Sequence, residues 1–250
     1  MIHHRLDGPA GAPVVLLGNS LGSDLRLWEP QVGALAERFR VVRHDSRGHG
    51  GSSVSPGPYD VELLGRDVLA LADNLGIARF HYCGLSLGGQ VGQWLGIHAP
   101  ERLERLVLAN TGARIGTAQL WQKRIDAVRA GGMAVVAPAA LERWFSPAFH
   151  ARFPDAIERW RAMLLAIAPE GYVACAEAVR DFDAREAIAA IRSLTLVIGG
   201  LADAATPADD ARFLAERIPG ARLALLPAAH LSNIEAAGEF TAALLAFLNE

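Results

Sequence analysis

The 250-residue chain is expected to form an α/β protein: a mostly parallel sheet of about seven to eight strands, flanked by helices. Three observations predict it. Short apolar, β-branched runs alternate with stretches of helical periodicity, the pattern of a sheet covered on both faces. A Gly-x-Ser-x-Gly turn, Gly84-Leu85-Ser86-Leu87-Gly88, sits between one such run and a helical stretch. From Thr117 to about Arg185 there is helical periodicity and no strand-like run, so a group of short helices is expected between two sheet strands.

Taken in order, Ala12 to Leu17 is a continuous apolar run that ends at Gly18-Asn19-Ser20-Leu21-Gly22, a turn-rich loop. A helix is expected from Asp24 through Trp28 towards Arg38, and a strand over Arg40–His44. Asp60 can cap the next helix, in which Leu63, Leu64, Val68, Leu71 and Leu75 recur at helical spacing before Gly76 closes it. A strand over Ala78–Cys83, a helix over Gln90–His98 and a strand over Leu103–Ala109 follow. The inserted helices are punctuated by Gly131-Gly132, Pro138, Pro147, Pro154 and Pro169. The sheet resumes at Ser193–Ile198 and ends at Arg222–Leu226. Ser232 and Glu235 have the spacing of a capping box, opening a last helix with Phe240, Leu244, Leu245 and Phe247 inward.

Bulk properties narrow the function. The formal net charge is −3, which recommends neither nucleic acid nor an anionic membrane as partner. No apolar stretch approaches the ~18–20 residues of a membrane span. The first residues, Met1 to Asp7, lack the apolar segment of a signal peptide, so a cytoplasmic location is the expectation. Two cysteines, Cys83 and Cys175, are no disulfide framework, and each reads as a small buried residue. No pair of His or Cys has metal-ligand spacing, and neither a metal nor a cofactor is expected.

The chemistry centres on Ser86. A tight strand-to-helix turn forces its central residue into a strained conformation, and glycines at 84 and 88 keep side chains out of the crowded flanks. A serine hydroxyl needs a base, and the base needs a carboxylate to hold its tautomer. Such groups gather beyond the C-terminal ends of sheet strands. After the strand at 193–198 comes Asp203, and after the strand at 222–226 comes His230. Asp209 and Asp210 are alternatives to Asp203, but fall in the following helix. The oxyanion donors are expected to be the backbone N–H groups of Leu87 and Ser20. Asp45 and Arg47 are read as a pair that fixes a loop under the site.

These landmarks resemble the α/β-hydrolase superfamily over almost the whole chain, and more closely its 3-oxoadipate enol-lactonases. The segments that carry the closer resemblance are Gly18–Gly22 with Asp24–Trp28, Gly84–Gly89 with Gln93–Gly96, Asn110-Thr111, Trp144-Phe145, Gly171-Tyr172 with Cys175 and Arg180–Asp183, and Ala228–Glu235. Leu201-Ala202 departs from the polar pair such lactonases often carry before the acid. The resemblance implies an α/β-hydrolase fold, with residues 1–112 and 186–250 as the core and 113–185 as a helical cap inserted after the sixth strand. It implies a small lactone substrate bearing a carboxylate, as met in aromatic catabolism. A carboxylate calls for a cation, and the inserted stretch offers Arg124 and Arg143, each near a tryptophan, Trp121 and Trp144, that can wall a pocket or fill a core. A carboxylesterase, a cofactor-free perhydrolase or a carbon–carbon bond hydrolase would use the same three groups. A small-molecule receptor on the same fold is the reading from a different class.

Overall fold

The computed structural model describes all 250 residues. Seven strands lie in the order β1-β3-β2-β4-β5-β6-β7: β1 His4–Asp7, β2 Val14–Gly18, β3 Arg40–His44, β4 Phe80–Leu85, β5 Leu103–Ala109, β6 Thr195–Gly200 and β7 Arg222–Leu226. β1 pairs antiparallel with β3, and every other pairing is parallel. The central strands are buried on both faces, which is why they read as unbroken apolar runs. One strand, not two, precedes β2, so the helical insertion follows the fifth strand rather than the sixth.

Each parallel step needs a helical crossover. A 3₁₀ turn, Leu25–Trp28, and α1 (Glu29–Ala36) divide between them the helix expected from Asp24, because Asp24 caps the turn at Arg26 N–H and Pro30 restarts the chain as an α-helix. α2 (Val61–Asn74) begins where the Asp60 carboxylate accepts the Leu63 N–H at 2.7 Å and ends before Gly76, whose φ is +68°. α3 (Leu87–His98), α9 (Ala208–Arg217), the single turn α10 (Ser232–Glu235) and α11 (Ala237–Leu248) complete the layers. α1 packs with α11 on one face, while α2, α3 and α9 occupy the other. Trp28 and Phe240, both fully buried, meet at 6.0 Å between ring centroids and join α1's side of the core to α11.

Between β5 and β6 lie α4 (Ala118–Gly131), α5 (Met133–Trp144), α6 (Pro147–Arg152), α7 (Pro154–Leu165) and α8 (Pro169–Asp181). Pro147, Pro154 and Pro169 each begin a helix, where the missing N–H has no intrahelical partner to lose. Pro138 instead lies inside α5 without ending it. The insertion leaves and returns to the sheet at one place, where Ala184 N–H donates to the Ala113 carbonyl at 2.8 Å. No single helix is long and apolar enough to cross a membrane.

The sheet order also places the site. From β2 the chain steps outward to β3, then returns to lay β4 on β2's other side. The loops after β2 and β4 therefore diverge and leave a crevice at their C-terminal ends.

Candidate active site

Ser86 stands alone between β4 and α3 at φ 58°, ψ −114°, a conformation that costs a non-glycine residue energy and persists only where the surroundings hold it. They do so by holding its own backbone groups at both ends. Ser86 N–H donates to Ala109 O at 2.9 Å, and Thr111 Oγ1 donates to Ser86 O at 2.8 Å. A methyl on Gly84 would strike the Gly88 carbonyl, and one on Gly88 the Gly18 carbonyl. The two glycines are thus required by the approach of three backbone segments.

That approach fixes the loop after β2. Gly88 N–H donates to Asn19 O at 3.0 Å, and Asn19 Nδ2 donates to His44 O at 2.7 Å. Gly22 N–H donates to His49 Nε2 at 3.0 Å, so His49 must be neutral with its proton on Nδ1. Burial agrees, pushing the His49 imidazole down to about 4. Ser20 N–H has no acceptor within the protein, and Ser20 lines the cavity with Ser86. Asp45 does not pair with Arg47. It accepts Leu25 N–H and Gly51 N–H and meets His3, while Arg47 forks onto Asp67 with Nε–Oδ2 at 2.7 Å. Asp45 is turned inward under the loop by those two backbone donors, which leaves Arg47 to reach α2.

Asp203 and His230 arrive from the loops after β6 and β7. His230 Nδ1 is 2.9 Å from Asp203 Oδ2. The same oxygen accepts Asn110 Nδ2 at 3.0 Å and Thr206 Oγ1 at 2.7 Å, and Asp203 Oδ1 takes the N–H groups of Ala205 and Thr206. Burial alone would raise this carboxyl. The charge of His230 and the donors from His230, Thr206 and Asn110 outweigh it and hold the group at about 2. Asp203 is therefore a fixed anion behind the imidazole. Asp209 and Asp210 lie on α9, and burial beside Asp203 raises Asp210 to about 6. Ser86 and His230 face one cavity without a hydrogen bond between them, a looseness common before substrate enters such sites.

The cavity, about 430 Å³, is roofed by α4 and α5. Ser20, Ser86 and His230 form its floor, and Trp121, Arg124, Arg143 and Trp144 join its wall, so all four cap candidates reach the site. Trp144 is also core, with its ring edge-on to Trp160. Neither arginine forms an ion pair. Arg124 lies over the rings of Trp121 and Tyr172, at 5.2 and 5.5 Å, with its Nε buried and unpartnered. Burial, and then the charge of Arg124, lower the Arg143 guanidinium. The buried Tyr172 hydroxyl is likewise unpartnered. Two cations facing one cavity, with no acid to neutralise them, suit an anionic ligand.

Sequence reasoning missed the supports. Asn110, at the end of β5 with φ 42°, binds Asp203, and Thr206 binds it from the other side. An asparagine at a strand's C-terminal end was the one visible signal. Ser232 and Glu235 do not form a capping box: Ser232 Oγ donates to Asn110 Oδ1 at 2.5 Å, and the residue at the cap position is Leu231.

Residues 13–237 match the family model described as alpha/beta hydrolase fold. The chain is 41% identical over 247 residues to 3-oxoadipate enol-lactonase 2 of Acinetobacter baylyi, covering 99% of this chain and 92% of that one. It is 37% identical to 3-oxoadipate enol-lactonase 1 of the same organism, covering 94% and 88%. The solved enol-lactonase of Burkholderia xenovorans LB400 superposes with a TM-score of 0.98 at 43% identity, covering 100% of this chain and 96% of that one.

Proposed function

The chain belongs to the alpha/beta hydrolase family and is a hydrolase acting on an ester bond, and from that premise we propose that its substrate is 3-oxoadipate enol-lactone. The observation that carries this reading is the pair of unpaired arginines, Arg124 and Arg143, on the cavity that Ser86 and His230 share. A neutral ester has no use for two half-buried cations without acidic partners. A lactone bearing a free carboxylate does. The enol-lactonases of Acinetobacter and Burkholderia support it.

In this reading residues 113–185 act as the cap and the rest of the chain as the catalytic core. His230 takes the Ser86 proton as Oγ attacks the ring carbonyl carbon, and the oxyanion is met by the N–H groups of Leu87 and Ser20. The ring carbon–oxygen bond breaks, and the enol oxygen takes the proton back from the imidazolium. The acyl group stays on Ser86 with the enol still tethered. Water, deprotonated by His230, then attacks the acyl carbon; the bond to Ser86 Oγ breaks, Oγ takes the proton back from the imidazolium and the acid leaves, while Asp203 stays ionised throughout. The enol ketonises to 3-oxoadipate.

The test is ultraviolet-monitored hydrolysis of the enol-lactone beside an aryl acetate, by wild type, Ser86→Ala and Arg143→Ala. Lactone turnover far above ester turnover, abolished in Ser86→Ala and with KM raised about 10- to 100-fold in Arg143→Ala, is expected for loss of a charge-assisted bond worth ~1.5–3 kcal/mol. Ester turnover with an inert lactone would leave a carboxylesterase and discard the lactonase.

A further inference from the structure

The carboxylate of Glu235 is not spent on its own helix. One oxygen, Oε2, accepts two backbone N–H groups, that of Ala229 at 3.1 Å and that of Ser146 at 3.1 Å. Ala229 immediately precedes His230. Ser146 belongs to the short link between α5 and α6, two residues beyond Trp144 and three beyond Arg143, both on the cavity wall. A second bond runs parallel to these, from Leu231 N–H to the Trp144 carbonyl at 3.0 Å. The residues on either side of His230 are thus tied to the residues that carry the pocket's wall, one through the Glu235 carboxylate and the other directly.

We propose that Glu235 is a positioning residue that locks the His230 loop to the substrate-facing wall of the insertion, so that base and wall hold one register. Two N–H donors converging on one ionised oxygen are charge-assisted and directional, which suits a clamp better than packing would. Without it the peptide before His230 loses its acceptor and the imidazole loses a fixed approach to Ser86. The link at Ser146 loses its tie to the core as well. Misplacement by about 1 Å at such a site can cost about a hundredfold in rate. The clamp needs only an oxygen acceptor, which a glutamine amide supplies.

The proposal requires the serine hydrolase reading, and the lactone only for one arm of its test. Glu235→Ala, Glu235→Gln, Ser146→Pro and Ser146→Ala are assayed for kcat and KM on the enol-lactone and on an aryl acetate, with thermal unfolding alongside. Ser146 has φ −68° and ψ 157°, which proline adopts, so Ser146→Pro deletes the N–H donor, while Ser146→Ala keeps it and removes only the side-chain cap of α6. Glu235→Ala is expected to lower kcat at least tenfold on both substrates and to raise KM on the lactone. Glu235→Gln is expected to restore both constants to within about twofold to threefold. Ser146→Pro is expected to raise lactone KM severalfold relative to Ser146→Ala, with aryl acetate kcat nearly unchanged. A Glu235→Ala enzyme that melts lower yet keeps wild-type kcat and KM would overturn the proposal, as would Glu235→Gln as impaired as Glu235→Ala. If Glu235→Ala fails to fold, Glu235→Gln and Ser146→Pro decide: wild-type lactone KM in Ser146→Pro overturns it. A wild type inert to the lactone would defeat the substrate reading alone, because aryl acetate still reads the base.

Discussion

Removing the side chain of Asn110 should damage the base and the fold together, by amounts the contacts allow to be worked out. Asn110→Ala deletes the donor to Asp203 Oδ2 at 3.0 Å, the donor to Ala229 O at 3.3 Å and the acceptor of Ser232 Oγ. A hydrogen bond to a charged group is worth ~1.5–3 kcal/mol, and a buried hydroxyl left unpaired costs ~1–3 kcal/mol. Alanine at φ 42° adds about 1 kcal/mol, since asparagine is among the few residues at ease there. The sum is about 3.5–7 kcal/mol, or a fall in Tm of about 10–20 °C for a chain of this length. On the rate, loss of the one charge-assisted bond to Asp203 corresponds to about a 10- to 100-fold drop in kcat. Aryl acetate hydrolysis and thermal unfolding on the same preparation measure both. A variant with wild-type Tm and kcat would refute the reasoning. A lower Tm with unchanged kcat would confine Asn110 to the fold.

Three further expectations follow from the same geometry. Asp203→Asn leaves an amide where five donors converge, so it should lose about 10⁴-fold in kcat as the imidazole turns to the wrong tautomer; a loss under tenfold would remove Asp203 from the reaction. Gly89→Ala places a methyl 2.8 Å from Thr111 Oγ1, pushing α3 from β5 and stretching the bond from Thr111 to Ser86 O; about 1–3 kcal/mol should be lost on urea unfolding, and unchanged stability would mean the helix can shift freely. Burial holds both His44 and His49 down to about 4, so the unfolded chain binds these protons first as pH falls. Stability should be full above about pH 6.5 and decline towards pH 4, with each histidine removing about 2 kcal/mol by pH 5. Asp203, held at about 2, loses its contribution in the same direction but in a lower window, intact above about pH 4 and lost only below that. Equal unfolding free energies at pH 7.5 and pH 5 would contradict the histidine assignment.

The strands and the meeting of Ser86, Asp203 and His230 at one edge of the sheet were legible because local signals specify them. Strands buried on both faces are apolar without interruption, and a turn as tight as the one at Ser86 tolerates little but glycine at 84 and 88. Asp203 and His230 could be found because a parallel sheet directs every strand's C-terminal loop to one edge. Long-range contacts were not legible. Arg47 sits two residues from Asp45, but its partner Asp67 is on α2, and only the fold brings the two together. Ser232 and Glu235 have capping-box spacing, yet Asn110 and Ser146 compete for them from elements 122 and 89 residues away. Local propensity lost to tertiary partners there. Pro138 is a similar case: a proline that reads as a break is carried inside α5, in a helix packed against α4 and α7.

The insertion begins and ends at a single doorway, with the carbonyl of Ala113 bonded to the N–H of Ala184 and β5 lying beside β6 in the sheet. Those two strands are neighbours whatever fills the 70 residues between Ala113 and Ala184. Ser86, meanwhile, is set by backbone packed on backbone at Gly18, Gly84 and Gly88, with no side chain from the insertion involved. On the proposed reading, reactivity and recognition are therefore separable in the gene as well as in space. One uninterrupted stretch of coding sequence can be exchanged, by recombination or by design, to present a new pocket wall over an unaltered reaction centre, on condition that the newcomer offers the His230 loop a foothold where Trp144 and Ser146 now stand.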